Sequence, residues 1–157
     1  MTERPDWLPD QIHFDDYGGN WPAYVEALYD VFKRDFIHSR PQFRGADVAC
    51  QTGPLDDGKE PAFWHIIQQK EDEERKPDMR RCERIAWPRA VLEHADDPRV
   101  AVWRTQRRGE ERFCVWYGEQ YLVVLGDRGD YYFFITAYPT NRKHTCRKLR
   151  KDRDRSP

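Results

Sequence analysis

Four short apolar runs in the second half of the chain share a high content of β-branched and aromatic residues: 100–103, 113–116, 121–125 and 131–137. The gaps between these runs contain Gly109, Gly118, Gly126 and Gly129. Short runs of this composition, separated by glycine-containing turns, are typical of β-hairpins. The pattern therefore predicts a four-stranded antiparallel meander at the C-terminal end of the chain.

A helical pattern precedes the predicted sheet. Apolar residues recur there at the spacing of one helix face: Tyr24, Ala27, Leu28, Val31 and Phe32. Asn20 is a favourable N-cap and Pro22 suits the first turn, so the helix should run from residue 20 to about Phe36. We expect its apolar stripe to pack on the sheet.

The middle of the chain predicts two strands and a broken helix. Residues 43–52 alternate between apolar and polar, and residues 62–67 form a strongly apolar run that we predict to be a strand carrying His65. Residues 71–77 are too charged to bury and predict an exposed connection. Asp78 should cap the next helix, which meets Pro88 and so predicts a kink or two abutting helices.

This order of elements predicts an α+β fold with helices packed on one face of an antiparallel sheet. Residues 1–19 contain two prolines and a Gly-Gly pair, which favour an N-terminal arm. Residues 20–150 form a single domain by length, ending in a short basic helix or frayed segment from residue 141. The remaining residues, 151–157, predict a basic disordered tail.

The net charge of −1 conceals a difference between the two halves of the chain. Residues 1–76 carry 9 Lys and Arg against 16 Asp and Glu, whereas residues 77–157 carry 18 against 12. A basic region of this kind can hold a polyanion even though the whole protein is nearly neutral. Ordinary charge scatter is the alternative explanation.

Membrane segments and cofactors are not expected. The chain has no run of eighteen apolar residues and no basic-then-apolar leader, so we predict a cytoplasmic protein without a membrane partner. One cysteine occurs every 32 residues from Cys50 to Cys146, but the flanking sequences disagree and no pair has zinc-ligand spacing. Neither a metal site nor a bound cofactor is predicted, and glycine-rich phosphate loops are absent from the sequence.

Several residues are suited to RNA chemistry. Cleavage without a metal needs a proton acceptor for the 2′-hydroxyl, a donor for the leaving 5′-oxygen, and cations for the developing charge. His65 is the first candidate for proton transfer, because the apolar residues around it should hold it in place. The alternative for His65 is a core histidine bonded to a backbone carbonyl.

Cations and hydroxyls accompany this histidine in the sequence. Arg81 and Arg84 are three residues apart and share one helix face, although they could equally pair with the acidic residues at 71–74. On simple alternation, Thr136 and Tyr138 share a face of the last strand with Tyr132 and Phe134. Arg142 and Lys143 follow directly. These two cations predict phosphate or substrate binding, with RNA as the first polymer to consider.

Four segments together resemble a known group: Phe-Trp-His-Ile-Ile at 63–67, Arg-Cys-Glu-Arg-Ile-Ala-Trp-Pro-Arg at 81–89, Tyr-Leu-Val-Val-Leu at 121–125, and Thr-Ala-Tyr at 136–138 before a basic end. The chain resembles the barnase–EndoU–colicin–RelE-like nucleases (BECR fold) of phages and bacteria, over roughly residues 63–149. Members share a small sheet with helices on one face and typically cleave RNA without a metal. Several act as toxins checked by a partner protein, an antitoxin or immunity protein.

The resemblance implies a role for each matching residue. It makes His65 the acid/base, Arg81 and Arg84 the phosphate contacts, and Thr136 and Tyr138 the orienting hydroxyls. Together these features predict a metal-independent endoribonuclease, plausibly a toxin, with RNA and an inhibitor protein as partners. The alternatives are a module of the same fold that binds RNA or protein without catalysis, and a structural protein with an inactive site.

Overall fold

The computed structural model describes residues 4–156, so parts of the predicted arm and tail lie outside the described residues. The helices are α1 (Trp21–Phe32, continued by a π-helical turn, Lys33–Ile37), α2 (Pro61–Ile67), α3 (Met79–Glu83), α4 (Trp87–Glu93) and α5 (Lys143–Arg155). A 3-10 turn, Phe14–Tyr17, precedes them. None of these helices is long and apolar enough to cross a membrane.

Within residues 4–156, eight strands form two sheets. The strands are β1 (Gln42–Phe43), β2 (Ala46–Ala49), β3 (Gln68–Glu71), β4 (Glu74–Pro77), β5 (Val100–Arg107), β6 (Glu110–Tyr117), β7 (Tyr121–Asp127) and β8 (Tyr132–Pro139). The main sheet has the order β1-β2-β8-β7-β6-β5, and β3 and β4 form a separate hairpin. All pairs are antiparallel except β2 with β8. The α+β class and the C-terminal meander, β5 to β8, are therefore confirmed.

The main sheet is covered on both faces. Helices α1 to α4 pack on one face around buried residues such as Phe32, Phe63 and Leu92. A smaller cluster lies on the opposite face, where Cys146 and Leu149 of α5 pack against the sheet. Among the helices of residues 4–156, α1 to α4 therefore share one face, as expected, whereas α5 lies on the other.

Segment 62–67, predicted as a strand, is a helix. Pro61 stands in the first turn, where its missing N–H costs no hydrogen bond, and it starts α2 directly after Glu60. The buried residues Phe63, Ile66 and Ile67 recur at helical spacing and share one face. A short segment that is apolar except for His65 fits a short helix or a buried strand equally well, which is why the strand prediction is wrong here.

Three further predictions are corrected. Residues 71–77 belong to the β3–β4 hairpin, whose two-residue turn has Asp72 and Glu73 at positive φ. The predicted strand at 43–52 is split into β1 and β2 by Arg44 and Gly45, both also at positive φ. Helix α5 continues to Arg155, where a disordered tail was expected from residue 151.

The helix-cap and proline predictions are confirmed. The side chain of Asn20 accepts from the backbone N–H of Ala23 at the start of α1. Asp78 caps α3, accepting from the N–H groups of Arg80 and Arg81. Pro88 lies in the first turn of α4, so α3 and α4 are two abutting helices.

Candidate functional site

A cleft opens beside β8 where the parallel strand β2 leaves it. Strand β2 pairs with β8 only at Val48–Tyr132 and Ala49–Phe133. Beyond these pairs, α2 and α3 lie against β8 in place of a neighbouring strand. His65, in the last turn of α2, lines the resulting cleft of about 200 Å³, which we call the His65 cleft.

The opposite wall of the His65 cleft is charged. Glu110 and Arg112 come from β6, and Arg128 comes from the loop after β7. Arg128 donates to Glu110 at 2.6 Å and Arg112 donates to the same carboxylate at 3.2 Å. These arginines lower the pKa of Glu110, so this group is an ionised carboxylate that holds two guanidinium groups in place.

One side-chain nitrogen of the half-buried Arg112 has an unusual environment. Its Nε is buried and has no hydrogen-bond partner within residues 4–156. A buried donor left unpaired costs free energy, so such atoms call for an explanation. Because Nε is closed off from solvent, a phosphate oxygen entering the cleft would meet the Nη groups of Arg112 and not Nε.

His65 is held in its neutral form. Burial lowers its pKa first, and the positive charges of Arg75 and Arg81 lower it further. A neutral imidazole at physiological pH can accept a proton, which a charged imidazolium cannot. No ring hydrogen bond of His65 is found within the described residues, so the core-histidine alternative finds no support there.

Arg81 contacts the protein backbone. Its Nη1 donates to the carbonyl oxygens of Gln68 at 2.8 Å and of His65 at 3.3 Å, at the C-terminal end of α2. Its guanidinium also lies over the Tyr138 ring at 5.5 Å and 3.8 Å from Asp78. Arg81 therefore fixes the backbone of His65, and its predicted phosphate contact stays a prediction.

We expect Arg81→Ala to lower the free energy of unfolding by about 1.5–3 kcal/mol, because hydrogen bonds to a charged group are lost from the end of α2. Urea denaturation measures this change, and Lys76→Ala, an exposed neighbour, is the control. If Arg81 acted chiefly on phosphate, its variant would lose activity at unchanged stability.

Arg84 is directed away from the His65 cleft. Its Nη1 donates to the carbonyl oxygen of Arg80 at 2.9 Å, and its guanidinium lies over the Trp87 ring at 5.2 Å. Neither Arg84 nor Arg81 is among the residues that line the cleft, but Arg81 bonds the backbone of His65 and Arg84 does not. The structure therefore brings His65 and Arg81 together and leaves Arg84 apart.

Thr136 and Tyr138 line a different groove, because β8 contains a bulge. The register with β7 shifts between Val124 and Leu125, and Ile135 is the extra residue. Thr136 and Tyr138 consequently face the α5 side, away from Tyr132 and Phe134, so the predicted common face is wrong. Sequence alternation cannot reveal such a bulge.

The neighbouring groove, which we call the α5 groove, lies between α5 and the sheet and measures about 530 Å³. Arg112 lines both the α5 groove and the His65 cleft. Arg142 and Lys143, predicted to bind substrate, stand at the start of α5 and are exposed, but they do not line this groove. The next residue, His144, does line it, and so does Lys148, one turn further along α5.

The sequence reasoning missed Arg112, Arg128 and Lys148. Arg112 did carry a signal, because it alternates with Cys114 and Trp116 along a predicted strand and so must share their face. Nothing local indicates that this face meets α2. Within residues 4–156, no three His, Cys, Asp or Glu side chains are placed to hold a metal ion together.

Comparison with known proteins adds no relative of this chain. No family model matches it, and neither a curated protein nor a solved structure does so.

Proposed function

We propose that this protein is a metal-independent endoribonuclease of the cytoplasm. The observation that carries the proposal is the placement of a neutral imidazole, His65, in one cleft with the guanidinium group of Arg112. One group can take a proton and the other can bind phosphate, and these are two of the needs of RNA cleavage. The resemblance to BECR nucleases points in the same direction.

The reaction uses the RNA's own 2′-hydroxyl as the nucleophile. His65 accepts the hydroxyl proton while the oxygen attacks the adjacent phosphorus, and the bond to the 5′-oxygen breaks. The leaving oxygen takes its proton from water, and the products are a 2′,3′-cyclic phosphate and a free 5′-hydroxyl. Arg112 and Arg128 stabilise the negative charge that grows on the phosphoryl oxygens.

Purified protein incubated with total RNA in EDTA tests this proposal. We expect cleavage, with cyclic phosphate ends detected by mass spectrometry, and no cleavage of DNA of the same sequence, which lacks the 2′-hydroxyl. Metal-dependent cleavage with 5′-phosphate ends would overturn the proposed chemistry. An activity of this kind needs restraint in its host, so an inhibitor protein, as in toxin–antitoxin pairs, belongs to the proposal.

The pH dependence of RNA cleavage should reflect the protonation of His65. Its activity as a base requires the neutral ring, so kcat/KM should fall as the pH drops through the lowered pKa of His65. Arg75→Ala removes one of the charges that lower this pKa, so the pKa rises and the acid limb moves to higher pH. Lys76→Ala is the matched control, because Lys76 is the next residue of the same hairpin. If the acid limb of the kcat/KM profile does not move in Arg75→Ala, the titration of His65 is not what causes it.

One observation favours a second function, the binding of RNA without cleavage. The hydroxyls of Thr136 and Tyr138 lie in the α5 groove, and Arg84 lies away from the His65 cleft, so the predicted residues do not converge in one place. A binding module needs only cations that can contact the phosphates of the RNA, such as those that line the His65 cleft and the α5 groove. RNA binding by a protein that cleaves no RNA under any condition tested would favour this reading.

A further inference from the structure

The α5 groove has an apolar floor within an otherwise polar surface. Leu122 and Val124 of β7 and Leu149 of α5 contribute side chains to this floor. Its volume, about 530 Å³, lies in the range of small-ligand sites. An apolar floor in a site of this size suits the apolar face of a nucleobase.

Two cations and a histidine line the groove without ionic partners. Arg107, His144 and Lys148 line the α5 groove, and none of them forms an ion pair within the described residues. The acidic residue of the groove, Asp152, is already engaged, since it accepts from the Trp103 indole at 2.7 Å and the Thr105 hydroxyl at 3.1 Å. The charge of the groove therefore suits a phosphate.

Two hydroxyls complete the walls. Thr136 and Tyr138 direct their side chains to the groove, and no hydrogen bond of either hydroxyl is found within residues 4–156. Such groups can donate to or accept from a ribose or a base edge. Burial raises the pKa of Tyr138, so its hydroxyl keeps its proton and remains a donor.

We propose that the α5 groove binds the nucleotide adjacent to the scissile phosphate in a single-stranded RNA. This inference rests on the proposed function, because it takes the His65 cleft as the place of cleavage. Arg112 lines both cavities, so one strand can pass from the cleft to the groove over a single guanidinium. A single strand is favoured because its bases can lie on the groove floor without first being unpaired and unstacked, which costs free energy.

Binding measurements with a hexaribonucleotide methylated at every 2′-oxygen test this inference without cleavage, since the nucleophile is blocked. We expect Lys148→Ala to weaken binding and to reduce the slope of log K against log salt by about 0.7, the loss of one phosphate contact to a single strand. Lys151→Ala removes the same charge from the exposed surface of the same helix and should leave the slope close to wild type. Both lysines are exposed, so neither variant should disturb folding.

Each alternative outcome has a separate meaning. The inference would be overturned if Lys148→Ala and Lys151→Ala lost the same affinity and the same salt slope. It would also be overturned if the hexamer did not bind. Adenosine monophosphate that binds as tightly as the hexamer, with the same dependence on Lys148, would show a site for free nucleotides and overturn it as well. If the hexamer binds in a Lys148-dependent way but the protein cleaves no RNA, RNA binding in the α5 groove is supported. Only the proposed catalytic function is then removed.

Discussion

Replacing His65 with alanine is expected to lower kcat/KM for RNA cleavage by about 10²–10⁴-fold, the usual contribution of a positioned general base. The effect should be large because the imidazole is held neutral by burial and by the charges of Arg75 and Arg81, and is thus ready to accept the 2′-hydroxyl proton. Initial rates on a defined oligoribonucleotide in EDTA measure the loss.

The control for this experiment is His38→Ala. His38 is exposed, follows the π-helical turn and lies outside the His65 cleft, so its loss removes a histidine without touching the site. Thermal unfolding of both variants should match the wild type, because His65 is only half-buried and its ring has no hydrogen bond within the described residues. Cleavage that persists in His65→Ala at wild-type rates would refute its role as the base.

Features that depend on neighbouring residues could be predicted from the sequence. The meander followed from apolar runs and turn glycines, and the starts of α1 and α3 followed from Asn20 and Asp78, because capping acts within one helical turn. Helix α2 was missed for the opposite reason. Apart from His65, its residues 62–67 are apolar, so their pattern does not distinguish helix from strand, and packing against the other elements helps to select the helix.

The candidate site depends on contacts between distant segments, which sequence periodicity does not report. His65 could be found as an ordered histidine, but its cleft exists only because β2 leaves β8 after two residue pairs. The bulge at Ile135 turned Thr136 and Tyr138 towards α5, which no alternation rule anticipates. Arg81 lies 16 residues from His65 in sequence yet bonds its carbonyl, so its structural contact was equally hidden.

Arg112 should show opposite effects on activity and stability, and this contrast distinguishes a functional arginine from a structural one. We expect Arg112→Met to lower kcat by about 10²–10³-fold, the loss typical of one donor to a transition-state oxyanion. The same variant removes a buried Nε without a partner, whose desolvation costs about 1–3 kcal/mol. Methionine keeps an apolar stem for packing in its place.

Removing the unpaired Nε should raise the stability of Arg112→Met. The loss of the ion pair with Glu110, worth up to about 1 kcal/mol at a partly exposed position, offsets part of this gain. Glu110 keeps its hydrogen bond from Arg128 at 2.6 Å, so its carboxylate is not left alone. Urea unfolding should therefore show Arg112→Met to be at least as stable as the wild type, while its activity falls. Sites that bind a ligand commonly retain such a cost in the free protein.

Arg104→Met is the matched control, because Arg104 lies on the adjacent strand β5 and is ion-paired with Glu111 and Asp127. It lines neither the His65 cleft nor the α5 groove, so its loss should leave kcat close to wild type. A loss of stability in Arg112→Met together with full activity would assign Arg112 to the fold alone. Because Arg112 is the residue common to the cleft and the groove, that outcome would also remove the link between the two cavities on which a continuous RNA path depends.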